Sequence, residues 1–263
     1  MHIWQALILG AVEGLTEFLP ISANGHLLMV GRWMGVDPAL LKNFGIILQG
    51  APLLAVLVLY RQRLKGLLGV KGGGADGLSG RKGWELLALS SLPVLAVGFL
   101  FEKKIKALLF GPLPFSLALG LGGIAILWVE SRRRPATTPS LDRMTNLQAL
   151  GIGLFQMLAL CPGVSRSGAT IVAGLLLGLS REDSALFSFF TAIPVLAAAV
   201  GYEALKSRDL WAQAPAVLAG FLLAFACALV SIKALMAMLS RLSFKPFGWY
   251  RILAAPFFWF FSR

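Results

Sequence analysis

Two cysteines and two histidines in 263 residues leave little material for disulfide or soft-metal chemistry. Cys161 and Cys227 lie in apolar segments with no metal-type spacing, so they read as packing residues. Acidic residues are scarce as well, 12 against 24 Lys and Arg, for a formal charge of +12. Charged residues of both signs make up only 14% of the chain. With 57% hydrophobic residues and a mean hydropathy of +0.79, this poverty of charge excludes a soluble domain and fits a polytopic membrane protein. No cleavable signal peptide is expected, because the apolar opening holds Glu13 and Glu17 and no small-residue cleavage site follows it. The basic excess is scattered through short loops, and no aromatic-interleaved basic surface occurs. That pattern argues against nucleic acid and for anionic headgroups and membrane orientation.

One stretch stands out against the apolar background. Residues 147–160 and 171–179 carry no formal charge, and between them lies Cys161-Pro162-Gly163-Val164-Ser165-Arg166-Ser167-Gly168-Ala169-Thr170. An arginine at that depth is costly unless it meets an anion or a water-filled cavity, so Arg166 is a functional-site candidate. Pro162 and Gly163 break one helix and allow another to begin near Ser165 or Ser167. Amides of a helix N-terminus, hydroxyls and a guanidinium would then converge, which is what a phosphate group requires. Non-helical backbone at this depth is tolerated where it lines a cavity or is buried in protein.

Taken in order, the chain reads as an all-α polytopic membrane protein of six transmembrane helices and two re-entrant helical hairpins, forming one integral membrane domain over residues 1–263. Residues 1–35 form the first hairpin, broken at Pro20, Asn24 and Gly25. Spans follow at about 40–60, with Gln49 near the middle, at 86–101 and at 113–129. The second hairpin covers 147–179, and further spans cover 184–205, 214–239 and 247–261. The loop holding Arg61, Arg63, Lys65, Lys71, Arg81 and Lys82 contains the flexible run Gly72-Gly73-Gly74. Loops after spans one, three and five, with Arg181, carry most of the basic residues. The positive-inside rule therefore puts them in the cytoplasm and both termini outside. Hairpin then three spans, repeated, makes residues 1–130 and 145–263 inverted repeats, a plan with a site where discontinuous helices meet.

Glu13 and Glu17 are four residues apart and share a helical face. Two carboxylates in an apolar segment repel each other unless a cation sits between them, and hard oxygen ligands suit Mg2+ or Ca2+. His26 follows the turn Ser22-Ala23-Asn24-Gly25 and is a candidate general acid, base or nucleophile, while Ser22 either contacts substrate or caps the next helix. Joined at the hairpin tips, these groups suit metal-assisted hydrolysis of a phosphate ester or pyrophosphate carrying a lipid tail.

Glu13-Gly14-Leu15-Thr16-Glu17-Phe18-Leu19-Pro20-Ile21-Ser22, the following Gly25-His26-Leu27, and Pro162 to Thr170 resemble the two long motifs of the bacitracin-resistance family of undecaprenyl-diphosphate phosphatases. Gln49-Gly50, Phe244-Lys245-Pro246-Phe247 and Tyr250-Arg251 resemble further positions of that family. The resemblance implies removal of the terminal phosphate of undecaprenyl diphosphate at a site open to the outer face of the bacterial inner membrane, in recycling of the wall-lipid carrier. It implies Glu17, His26 and Arg166 as catalytic residues, and Glu13 with Glu17 as ligands of a divalent cation. It implies Ser22, Ser165, Ser167, Thr170 and Gln49 as substrate contacts. One departure concerns the attacking group: the family usually reads Ser-Ser-Thr-Gly-His where this chain has Ser22-Ala23-Asn24-Gly25-His26. A serine nucleophile would therefore have to be Ser22; otherwise His26 or a metal-activated water attacks.

Two other readings fit the same features. Inverted repeats with re-entrant tips suit a lipid-phosphate flippase or transporter. An anion channel or lipid-binding scaffold without turnover fits less well, because the paired glutamates would repel a phosphate without a metal. The small-residue run Gly120-Leu121-Gly122-Gly123 suits close helix packing within the chain or across a homodimer.

Overall fold

The computed structural model describes residues 1–69, 78–109, 111–132, 135–207 and 213–261, without the side chains of 102, 103, 106–109 and 261. Lys71, the run Gly72-Gly73-Gly74, Arg133, Arg134, Arg208 and Asp209 lie outside the described residues, as do the side chains of Glu102, Lys103 and Lys106. The described residues form helices and turns, with no strand among them. The helices are α1 (Ile3–Thr16), α2 (Ala23–Trp33), α3 (Pro38–Leu48), α4 (Gly50–Leu59), α5 (Arg61–Leu67), α6 (Gly80–Leu109), α7 (Pro112–Ser131), α8 (Asn146–Gln156), α9 (Arg166–Leu176), α10 (Arg181–Lys206), α11 (Ala214–Leu239) and α12 (Lys245–Phe261).

Several starts follow from local chemistry. Asp37 accepts from the Ala39 and Leu40 amides at 3.0 and 2.9 Å, ahead of Pro38 in the first turn of α3. Thr145 and Gln148 form a capping box on α8. Ser180 accepts from the Asp183 amide at the start of α10.

Five stretches are long and apolar enough to cross a membrane: Pro38–Leu59, Gly80–Phe101, Pro112–Ser131, Arg181–Lys206 and Ala214–Leu239. They coincide with the first five expected spans. The expected sixth is α12, whose 17 residues are not among the five; at 1.5 Å per residue it is about 26 Å long. Two expectations change in detail. The first span is two helices meeting at Gln49, because Pro52 has no amide to bond the Leu48 carbonyl. The second helix begins six residues earlier than expected and runs through the presumed loop at 102–106 to Leu109; an Arg81–Glu85 pair at 2.8 Å supports its first turn.

Small residues decide the closest packing. A side chain at Gly10 or Gly14 of α1 would strike the Gly220 or Ala224 carbonyl of α11, and Ser231 of α11 donates to the Leu15 carbonyl at 2.7 Å. In the other half α8 lies on α6, where Gly153 leaves room for the Leu89 and Ser90 carbonyls and Gln156 Nε2 donates to Ser90 O at 2.7 Å. Helix α7 lies along α12, with Gly120 against Ala255 and Gly123 against the Gly248 carbonyl. The glycine run is thus occupied within the chain.

The element ends sort into two groups. At one end the Met1 amino group donates to Gln213 at 2.9 Å and Gln5 to the Met34 carbonyl at 3.0 Å. At the other, buried Glu130 accepts from Arg181 Nη2 at 2.5 Å and from the Phe244 amide at 2.8 Å, and Lys82 donates to Asn146 at 2.6 Å.

Candidate active site

Both hairpins break where the sequence has proline, and both restart on a serine. After α1 the chain turns through residues 17–22, and α2 begins directly after Ser22. After α8 a 3-10 turn over Met157–Leu160 leads to Pro162, Gly163 and Ser165, and α9 begins at Arg166. Ser22 and Ser165 have φ of 72° and 69°, and among the described residues they are the only non-glycine residues with positive φ. Such backbone costs about 1–3 kcal/mol and persists only where its surroundings over-determine it. Ser165 Oγ accepts from the Gly168 amide at 3.1 Å and so caps α9. Ser22 makes no such side-chain cap, one of the two roles its position offered.

The two tips meet. Arg166 Nη2 donates to Glu17 Oε1 at 3.1 Å, and Nη1 donates to the Ser188 carbonyl at 3.0 Å. Its side chain is 11% exposed and that of Glu17 is 8% exposed. The guanidinium lies 5.6 Å from the centre of the Phe18 ring. Arg166 Nε is buried with no hydrogen-bond partner. Ser167 Oγ donates to the Leu19 carbonyl at 2.8 Å, closing the second tip on the first.

Beside this junction is a cavity of about 840 Å³. Glu17, Ser22, Asn24, Gln49, Ser165 and Arg166 give it a polar floor, and Leu27, Leu28, Ile46, Val195 and Leu196 give it apolar walls. Asp37, Lys42, Lys206 and Ser207 stand where α3 begins and α10 ends, the same end as Met1. Gln49 Nε2 donates to Asn24 Oδ1 at 3.1 Å, which ties the break between α3 and α4 to the first turn of α2.

Of the expected site residues, Glu17, Ser22, Gln49, Ser165 and Arg166 line this cavity. Glu13, Ser167, Thr170 and His26 are not among its lining residues. Ser167 and Thr170 are each 1% exposed and serve packing: Thr170 Oγ1 donates to Ser188 Oγ at 2.7 Å, fastening α9 to α10. His26 turns toward α12, with Nδ1 at 2.9 Å from the Ser22 carbonyl and Nε2 at 2.5 Å from Tyr250 Oη. Glu13 is 0% exposed with Glu17 and Arg166 as its electrostatic neighbours, and neither of its carboxylate oxygens has a hydrogen-bond partner.

Two orphaned carboxylate oxygens beside a second carboxylate are the hard donors a small divalent cation takes. Among the described residues no cluster of three His, Cys, Asp or Glu could hold a metal. Among the described residues the site thus offers two carboxylates, a set suited to Mg2+, which keeps waters and binds through one or two carboxylates plus phosphate.

The resemblance includes Tyr250-Arg251 but gives Arg251 no role in the site. It lies inside α12, fully buried, and donates to backbone carbonyls of both tips. The available signal was the uncharged run 252–261 after it, which places this arginine at depth. Ser188, the partner of Arg166 and Thr170, gave no sequence signal because a serine in a span is unremarked.

Comparison with known proteins gives the family. The family model described as "Bacitracin resistance protein BacA" matches residues 6–257. The undecaprenyl-diphosphatase of Maridesulfovibrio salexigens is 44% identical over 262 residues, covering 98% of both chains. That of Desulfovibrio desulfuricans is 43% identical over 99% of this chain and 98% of its own. The undecaprenyl-diphosphatase 1 of Burkholderia ambifaria is 42% identical over 95% of this chain and 92% of its own. With a family model matched over residues 6–257 and relatives 42–44% identical over nearly their whole length, the chain belongs to the bacitracin resistance protein BacA family.

Proposed function

We propose that this protein hydrolyses undecaprenyl diphosphate to undecaprenyl phosphate and inorganic phosphate in the bacterial inner membrane. The observation that carries the reading is the Glu17–Arg166 pair at the floor of an apolar-walled cavity, where two strained hairpin tips meet. The diphosphate head sits on the polar floor while the tail leaves along the leucine and valine walls. Arg166 holds the terminal phosphoryl oxygens, with Nε–H available beside the two N–H groups already engaged. The hydroxyls of Ser22 and Ser165 and the first amides of α2 and α9 add donors where charge grows. Water attacks the terminal phosphorus, the anhydride P–O bond breaks, and the bridging oxygen leaves with the lipid monophosphate. Glu17 orients that water, and the proton it loses ends on the released phosphate or in solvent.

Glu13 and Glu17 are the residues that would hold a divalent cation, Mg2+ or Ca2+. When bound, such an ion supplies charge neutralisation at the phosphoryl oxygens and makes bound water more acidic.

The rim at Asp37, Lys42 and Lys206 shares the end of the molecule with Met1, so the positive-inside orientation opens the cavity to the outer face. Residues 1–130 and 145–263 read as inverted repeats. Support comes from the matched serines of positive φ and from the reciprocal packing of α1 on α11 and α8 on α6. A homodimer would need a surface other than the glycine run; sedimentation in detergent tests it.

The test of the function is phosphate release from a polyprenyl diphosphate by the purified protein in detergent, with Mg2+, Ca2+ or chelator. Cation-dependent release without a membrane gradient is expected. No release from a folded, monodisperse protein would overturn the reading and favour a flippase.

A further inference from the structure

The hydrolysis just proposed uses neither Arg251, nor Tyr250, nor the side chain of His26, yet between them these three reach both tips. Arg251 is 0% exposed and heads the fully buried side chains by size. Its Nε donates to the Leu119 carbonyl at 3.0 Å, Nη1 to Pro20 at 3.0 Å, and Nη2 to Gly163 at 3.0 Å and Ala118 at 3.3 Å. All these acceptors are backbone carbonyls, and no carboxylate pairs with it among the described residues. A buried cation without a counter-charge is expensive. Its retention calls for a reason, and the acceptors supply one. Pro20 stands two residues before Ser22 and Gly163 two before Ser165, so one rigid guanidinium grips equivalent points of both tips.

Room for that grip is built in. A side chain at Gly122 of α7 would occupy the place of the Arg251 guanidinium, and one at Gly168 of α9 would lie 2.9 Å from Nη1. The neighbouring residue reaches the first tip by another route. Tyr250 stacks on His26 with ring centres 5.7 Å apart and planes 18° apart, and Phe258 meets the imidazole edge-on at 5.2 Å. A carbonyl only accepts, so the His26 nitrogen facing Ser22 O carries the proton, and Nε2 accepts from the Tyr250 hydroxyl. Both nitrogens of His26 are thereby committed, one to the backbone of a strained serine and one to α12. The cavity holding Glu17 and Arg166 is lined without it.

We propose that Tyr250 and Arg251 are a positioning pair that sets the register of both tips, and that His26 is the link through which Tyr250 holds Ser22, rather than a group that touches substrate. The inference rests on the phosphatase reading for its kinetic arm and on geometry alone for its structural arm.

The experiment compares His26→Asn, His26→Ala, Tyr250→Phe and Arg251→Lys with wild type, all full-length in detergent. Phosphate release from a polyprenyl diphosphate is followed across pH, and amide hydrogen exchange is followed at residues 18–24 and 161–167. Asparagine keeps a donor near the position of Nδ1 but transfers no proton. His26→Asn is expected to keep kcat within about tenfold of wild type with the same pH limbs, and His26→Ala to lose about 100-fold, the scale of a 1 Å misplacement. Arg251→Lys is expected to lose about 100-fold in kcat with little change in KM, because a point charge cannot span four carbonyls. Faster exchange is expected at both tips in Arg251→Lys and at the first tip alone in Tyr250→Phe. An Asn variant as inactive as the Ala variant, or one lacking a pH limb, overturns the proposal by making His26 a proton carrier. Unchanged exchange in Tyr250→Phe overturns it as well, and this arm stands if Arg251→Lys does not fold. A wild type that releases no phosphate refutes the phosphatase reading, and the exchange data still decide the positioning role.

Discussion

Replacing Arg166 by lysine tests the centre of the site with the least damage to the fold. The guanidinium now makes two directed bonds in different directions, to Glu17 at 3.1 Å and to the Ser188 carbonyl at 3.0 Å, and holds a third donor unpartnered. A lysine ammonium keeps the charge that Glu17 needs, so no carboxylate is left without a cation beside it. It reaches Glu17 or Ser188, but it cannot do so and also present a planar fork to a phosphoryl group. Loss of one preorganised donor at a transition-state oxygen is worth about 2.7–4 kcal/mol, or about 100- to 1,000-fold in kcat. Since the charge grows along the reaction, the loss falls on kcat, and KM moves less than about threefold. The assay is steady-state phosphate release from a polyprenyl diphosphate in detergent micelles, with size-exclusion profile and thermal midpoint recorded beside it. A folded lysine variant within tenfold of wild-type kcat would refute the reasoning. So would a variant that raises KM alone, since Arg166 would then hold the ground state and the transition state equally.

Three further outcomes follow from the same contacts. Glu130→Ala strands Arg181 and the Phe244 amide, which meet at a carboxylate with no exposed side-chain surface; a broken buried pair costs about 3–5 kcal/mol, so a fall of roughly 10 °C in thermal midpoint is expected by scanning fluorimetry. Gly163→Ala sets a Cβ against the Phe115 carbonyl at a φ of 95°, and the second tip, whose Gly163 carbonyl Arg251 grips, is displaced; little folded protein and no phosphate release are expected. Glu13→Gln removes charge from a carboxylate that no donor satisfies, so the Mg2+ concentration for half-maximal activity is expected to rise about 10- to 100-fold, and an unchanged titration would remove Glu13 from the cation site.

Spans and tips were legible because membrane physics constrains them so heavily. Long uncharged runs, a proline beside a serine, and a charge at depth each have few allowed explanations, and the helices at 38–59, 112–131, 181–206 and 214–239 fell where hydropathy put them. The break at Gln49 was hidden because Pro52, three residues downstream, sits in an otherwise regular apolar run. The meeting of the two tips was legible as chemistry; the direct Glu17–Arg166 pair was not, since the arginine suited a phosphate and the glutamates a divalent cation. Nor were the side-chain directions legible. Ser165 and Ser167 look equivalent in sequence, yet Ser165 sits at the cavity while Ser167 is committed to the Leu19 carbonyl. Their separation depends on the left-handed backbone at Ser165, which no residue preference announces. The role of Arg251 was missed for a related reason: its partners are main-chain carbonyls 88 to 231 positions away, and carbonyls have no sequence identity.

The alanine at position 23 gives the sharpest separation between attacking groups. Ala23 is the first residue of α2, lines the cavity and is 6% exposed, so a hydroxyl placed there would face the polar floor. The surrounding machinery is complete without it. Glu17 and Arg166 are paired, Ser22 and Ser165 hold their strained backbone, and Gln49 is tied to Asn24. If water attacks, Ala23→Ser adds one weak donor to a formed site and kcat moves by less than about tenfold, within what one neutral hydrogen bond supplies. If catalysis in this fold requires a serine nucleophile at that position, the present chain is crippled. The substitution would then restore the lost factor, about 100-fold or more, with a phosphoserine at position 23 trapped by acid quench and found by mass spectrometry. The geometry favours the first outcome, because nothing at Ala23 is distorted to aim a side chain. The residue held in an unusual conformation is its neighbour Ser22, and there the strain serves to turn backbone rather than to sharpen a nucleophile.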